Sequence, residues 1–132
     1  MIAARYSSDR ELLRILIENG ANVNAIDKNG QTSLMRAARY NTNPEILRIL
    51  IENVANVNTV NENRRTPLML AARYNSNPDV LRVLLESGSN VAMRDKDGQT
   101  ALDYADRNDA LKGTDAYNLL REMTLAEMTQ SK

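Results

Sequence analysis

Catalysis needs side chains that move protons, hold metals or attack electrophiles, and this 132-residue chain supplies few of them, having neither histidine nor cysteine. That excludes Ser-His triads, thiol nucleophiles and metal sites built on His or Cys. The five glycines are scattered, so no phosphate-cradling loop is present. Asp95 and Asp97 ahead of Gly98 begin like a calcium loop, but the later ligands and the closing Glu are missing. A tight turn is the better reading of that segment. Asp103 and Asp106 lie three apart on a predicted helix, where a solvated polar surface accounts for them. The expectation is a protein with no catalytic residue, no metal site and no cofactor.

Binding chemistry is better represented. Arg-Tyr pairs occur at 5-6, 39-40 and 73-74, and Arg and Tyr are the residue types that dominate interface energetics. Their identity from copy to copy cuts the other way, since a surface shaped to one partner should vary while a residue packing on its neighbour's copy should not. Both roles stay open for these tyrosines and arginines.

Seventeen basic and seventeen acidic residues leave no net formal charge, which gives no support for nucleic-acid binding. The charge is unevenly spread: residues 1–75 hold 10 basic and 7 acidic groups, residues 76–132 hold 7 and 10. The first part suits an acidic partner surface, and head-to-tail self-association is the rival reading. No apolar run approaches the roughly 18 residues needed to span a bilayer, and MIAARYSSDR lacks the apolar core of a signal peptide. With cysteine absent, a reducing, cytoplasmic setting is expected.

The elements that position these residues repeat. Thr32, Thr66 and Thr100 are 34 residues apart, as are Ala37-Ala38-Arg39-Tyr40 and Ala71-Ala72-Arg73-Tyr74. A period of this size signals stacked units, each burying its apolar face against its neighbours. Asp27-Lys28-Asn29-Gly30 and Asp95-Lys96-Asp97-Gly98 predict tight hairpin-like turns that need positive φ. A short Ala-rich helix follows each Thr. Asn43-Pro44-Glu45 and Asn77-Pro78-Asp79 then start a longer helix: Asn accepts orphan amides, Pro is preset for the first helical position, and the acid faces the positive end of the dipole. On that helix Glu45, Arg48 and Glu52 form one wet stripe, with Ile46, Leu47, Ile49, Leu50 and Ile51 packed around it. Gly20 and Gly88 close the helices.

DKNGQTSLMRAARY, NENRRTPLMLAARY and DKDGQTALDYADRN, each joined to an outer helix and an Asn-Val-Asn-like exit, resemble ankyrin repeats as far as about Met123. The resemblance implies an all-α solenoid of stacked helix-loop-helix units joined by hairpin-like turns. The family's period is about 33, and the additional residue here falls in the Asn-Thr-Asn-Pro loop. Met1, Met35, Met69 and Asp103 stand where the family motif has histidine, so its usual hydrogen-bond network cannot form. Val54 replaces the helix-ending glycine of the middle copy and Arg64 its turn glycine, each expected in left-handed space at about 1–2 kcal/mol.

The resemblance also implies a non-catalytic module that holds an unidentified protein on a concave surface of turn tips and inner helices. Those positions are Lys28, Asn29, Gln31, Arg39 and Tyr40; then Glu62, Asn63, Arg65, Arg73 and Tyr74; then Lys96, Asp97, Gln99, Arg107 and Asn108; Arg5 and Tyr6 extend the row. A structural or spacer segment of a longer protein is the alternative.

One domain is expected, divided into a truncated first repeat (1–26), repeats at 27–60 and 61–94, a C-terminal capping repeat at 95–123, and a frayed tail at 124–132. Asp106 and Arg121 replace apolar residues of the earlier copies, as a cap requires, and Thr114 should start the last helix. Leu12, Leu13, Ile15, Leu16 and Ile17 keep the interior pattern. That is expected of the C-terminal part of a longer array, or of a chain that covers this face by homo-oligomerisation. From the Val54 and Arg64 substitutions, hydrogen exchange should find residues 53–65 the least protected part of the interior; protection equal to that around Gly88 would contradict this.

Overall fold

The computed structural model describes residues 17, 22–53 and 55–130. Six helices are present among them: α1 (Ser33–Tyr40), α2 (Pro44–Glu52), α3 (Pro67–Tyr74), α4 (Pro78–Glu86), α5 (Ala101–Ala105) and α6 (Asp115–Gln130). Among the described residues there is no strand, and no helix is long and apolar enough to cross a membrane. The all-α reading holds. Ala3-Ala4-Arg5-Tyr6, Gly20, Val54 and the apolar pattern of residues 12–17, with the exception of Ile17, lie outside the described residues.

Each helix starts where its capping chemistry dictates. The hydroxyls of Thr32, Thr66 and Thr100 accept from the amides of Met35, Met69 and Asp103 at 3.2, 3.2 and 3.3 Å. Asn43 and Asn77 accept from Glu45 and Asp79 at 3.0 and 2.9 Å, with proline opening the helix behind them. Thr114 caps α6 through the Tyr117 amide at 3.2 Å. Asn41 and Asn75 leave the helical region in extended conformation, ending α1 and α3.

The helices pack in two rows: α1 on α3 on α5, and α2 on α4 on α6, with α1–α2, α3–α4 and α5–α6 paired between rows. The core lies between them. Leu34, Ile46, Leu47, Leu68, Leu81, Leu84, Leu111 and Leu120 are all essentially inaccessible. Each fully buried Leu or Ile side chain contributes about 1.5–3 kcal/mol, so neighbouring pairs stabilise one another across the stack. Met35 and Met69, in the register of the family's histidine, are buried apolar filler, while Asp103 closes a capping box with Thr100.

The predicted wet stripe is wet. Glu45 and Arg48 pair at 2.5 Å with side chains 41% and 47% exposed, an ion pair worth at most about 0.5 kcal/mol. The last helix departs from expectation: it runs to Gln130 instead of ending near Met123, and Thr124, expected in a frayed tail, is buried with its hydroxyl donating to the Leu120 carbonyl at 2.7 Å. Asp106 and Arg121 are exposed, as polar replacements in that layer should be.

The turns are built on their first residue. Asp27, Asn61 and Asp95 each accept two amides two and four positions on: Asn29 and Gln31, Asn63 and Arg65, Asp97 and Gln99. Only the fourth position of each turn has positive φ, with Gly30 at 78°, Arg64 at 60° and Gly98 at 76°. The Asn-Gly and Asp-Gly pairs therefore place one residue in left-handed space, not two. Arg64→Gly should raise stability in urea unfolding by about 0.5–1 kcal/mol, the relief of left-handed strain less the added chain entropy. A loss of stability would contradict the strain assignment.

Candidate binding surface

The turns form a row of fingers tied by their backbones. The Glu62 amide donates to the Asn29 carbonyl at 3.0 Å, and the Lys96 amide to the Asn63 carbonyl at 3.1 Å. Asn61 reaches back to the Gln31 side chain at 3.0 Å. Lys28, Asn29, Glu62, Asn63, Lys96 and Asp97 at the tips are exposed, whereas Gln31, Arg65 and Gln99 behind them are half-buried.

Beside the fingers runs a ladder of arginines and tyrosines from the ends of the inner helices. The Arg39 guanidinium lies 4.9 Å from the Tyr40 ring centre and 4.1 Å from that of Tyr74. Arg73 lies 5.0 Å from Tyr74 and 5.4 Å from Tyr104, and Arg107 also 5.4 Å from Tyr104. Arg39 and Arg73 thus each meet a ring of their own copy and a ring of the next, answering in part why the pairs repeat. Each such cation–ring interaction contributes about 0.5–1 kcal/mol where exposed. Tyr40 and Tyr74 remain 44% and 39% exposed, so stacking does not remove them from the surface. Arg5 and Tyr6 lie outside the described residues.

Two of the expected positions are spent on the fold itself. Arg65 donates to Asp95 at 3.2 Å and to Asp97 at 3.3 Å, with only 17% of its side chain exposed. Asn108, expected as a surface residue beside Arg107, is half-buried and donates to the carbonyls of Ala72 and Asn75, both at 3.0 Å. The reason is register. Asn108 does what Asn75 does one copy earlier, after a step of 33 residues instead of 34, because α5 is shorter than α3.

Tyr104 is the participant that the repeat arithmetic does not flag. It occupies the register of Arg36 and Leu70, and its hydroxyl donates a short hydrogen bond to the buried Asp95 carboxylate. In the earlier copy Arg36 fills this role, donating to Asp27 at 2.7 Å; the signal is an acid nine residues ahead of a donor in both copies. Burial works against the Asp95 charge, but the Tyr104 hydroxyl, the Gln99 amide, Arg65 and the Asp97 amide outweigh it and hold the carboxyl below its ordinary range. Burial and the same carboxylate push the Tyr104 phenol up.

Arg73 and Tyr104 from the inner helices, Arg107 just beyond the end of α5, and Asp97 and Gln99 from the third finger line one polar depression of about 590 Å³. Arg107 is steadied there by the Gln99 side-chain oxygen at 3.0 Å. Among the described residues no group of acids is placed to hold a metal ion.

A family model described as ankyrin repeats (3 copies) matches the chain over two overlapping stretches, residues 1–95 and 55–124. No curated protein matches the chain.

Asp95→Asn should lower stability near pH 7 by about 1–3 kcal/mol, because Arg65 loses its buried counter-charge. A carboxylate whose folded pKa is depressed stabilises above its unfolded value, about 3.9, and that contribution is lost as pH falls through the folded value. Urea midpoints of wild type and variant should therefore converge on acidification below about pH 4; a gap independent of pH would contradict the role given to the charge.

Proposed function

The chain belongs to the ankyrin-repeat family, and we propose that it is a non-catalytic module that binds a protein through the face made by the finger tips and the inner-helix ends. Ankyrin repeats are in general protein-interaction modules, and what supports this location is the continuity of the surface. Tip residues and the arginine-tyrosine ladder meet in the depression lined by Arg73, Asp97, Gln99, Tyr104 and Arg107. We take residues 27–60, 61–94 and 95–123 as its units.

Mechanistically, the fingers are bonded to one another before any partner arrives, so binding costs little ordering entropy. At the tips one copy in three differs at each position, Glu62 against Lys28 and Lys96, and Asp97 against Asn29 and Asn63, and these differences would supply selectivity. Arg39, Arg73, Arg107, Tyr40 and Tyr74 would supply the larger share of the binding energy.

Reversing charge with Arg39→Glu and Arg73→Glu together should weaken binding at least about tenfold. Folding should persist, since each cation–ring interaction removed contributes only about 0.5–1 kcal/mol. Calorimetric titration with peptides selected on the chain from a displayed random library, alongside circular dichroism, measures both. Unchanged affinity would contradict this location for the site.

A further inference from the structure

Resting on that reading of the face, we infer that its partner segment is an acidic peptide in an extended conformation, with carboxylates at every third residue. Three arginines carry the inference. Arg36 and Arg65 on the same side of the molecule are each committed to a carboxylate. Among the described residues Arg39, Arg73 and Arg107 have no such partner: Arg39 and Arg73 meet only aromatic rings, and Arg107 adds a neutral amide oxygen. A guanidinium carries five N–H donors, and a contact with a ring does not use them up as an ion pair would, so a carboxylate can still be taken in a fork. Among the described residues the fold gives none of these three cations a carboxylate of its own, and it holds them in a row.

The stacking of the inner helices suggests the period, and the shared rings bound it from above. Arg39 and Arg73 lie 4.1 and 5.0 Å from the centre of the same Tyr74 ring, so their guanidinium carbons are no more than about 9 Å apart. Arg73 and Arg107, both 5.4 Å from the Tyr104 centre, are no more than about 11 Å apart. Packed helices such as α1, α3 and α5 stand about 8–10 Å apart. A polyproline II segment turns the same way every three residues with a rise of about 3.1 Å each, bringing like side chains round every ~9.3 Å. The surrounding charges permit this approach: Lys28 and Lys96 offset Glu62 and Asp97 at the tips, and Asp97 is engaged by Arg65.

The test is titration of the whole chain with Glu-Pro-Pro-Glu-Pro-Pro-Glu, its glutamine counterpart, and a short single-stranded DNA of equal charge. The acidic peptide should bind at least about tenfold more tightly than the glutamine form, weakening as salt rises. Arg39→Gln with Arg73→Gln should remove that preference, Lys at both positions should restore part of it, and Arg82→Gln on the outer helix should leave it intact. Equal affinity for the two peptides, no binding of the acidic one, tighter binding of the DNA, or an equal loss from Arg82→Gln would each overturn the inference. A displayed random library separates this from the reading beneath it. Enriched non-acidic peptides displaced by the Arg39 and Arg73 variants would overturn the carboxylate assignment and keep the face as the binding site; peptides insensitive to these variants would overturn both.

Discussion

A unit only two short helices thick cannot enclose an apolar core, and in this chain the remedy is asparagine reaching from one copy into the backbone of the one before. Asn75 donates both amide hydrogens backwards, to the carbonyls of Ala38 and Asn41 at 2.8 and 2.9 Å, while its oxygen accepts from Asn77 at 2.9 Å. Asn108 repeats the arrangement with Ala72, Asn75 and Ala110. At the exits of the outer helices Asn24 accepts from the Asn56 amide, and Asn58 from the Asn90 amide, at 2.7 and 2.8 Å. The carbonyls at the ends of α1 and α3 have no intrahelical donor. Satisfying them from the next copy turns an obligation of each helix end into the joint between units.

That joint also explains the surface. Because the inner helices are pinned at the ends that carry Arg39 and Arg73, the arginine over one ring also meets the ring of the following copy. The fingers are pinned independently by backbone bonds between neighbours. Two sets of positions far apart in sequence thereby become one platform. The same side chains cannot serve freely on both sides of this arrangement, which is why Arg65 and Asn108 belong to the scaffold although they sit among surface residues.

Local rules made most of the fold legible. Threonine and Asn-Pro caps set the helix starts, the apolar pattern of α2 and α4 set their buried faces, and the missing turn glycine at Arg64 foretold its φ of 60°. What escaped were interactions that the copies do not share in strict register. A strict 34-residue offset pairs Asn75 with Asp109, so the shortened α5 hides Asn108 as its true counterpart. The same arithmetic gives no hint that Tyr104 would join Asp95 and Arg65, since its register holds Leu70 in the copy before. Thr124 reads as the start of a tail because the repeat ends there, yet it faces the core as part of a longer helix. Periodicity reports what the copies share; the site depends on where they differ.

Asn75→Ala removes one joint, together with the local bond from the Asn77 amide. It strands two buried carbonyls, each costing about 1–3 kcal/mol, so urea unfolding should show a loss of about 2 kcal/mol or more. The inner-helix ends should lose hydrogen-exchange protection with it. A variant within about 0.5 kcal/mol of wild type, the ordinary range for surface substitutions, would contradict the claim that these asparagines hold the copies together.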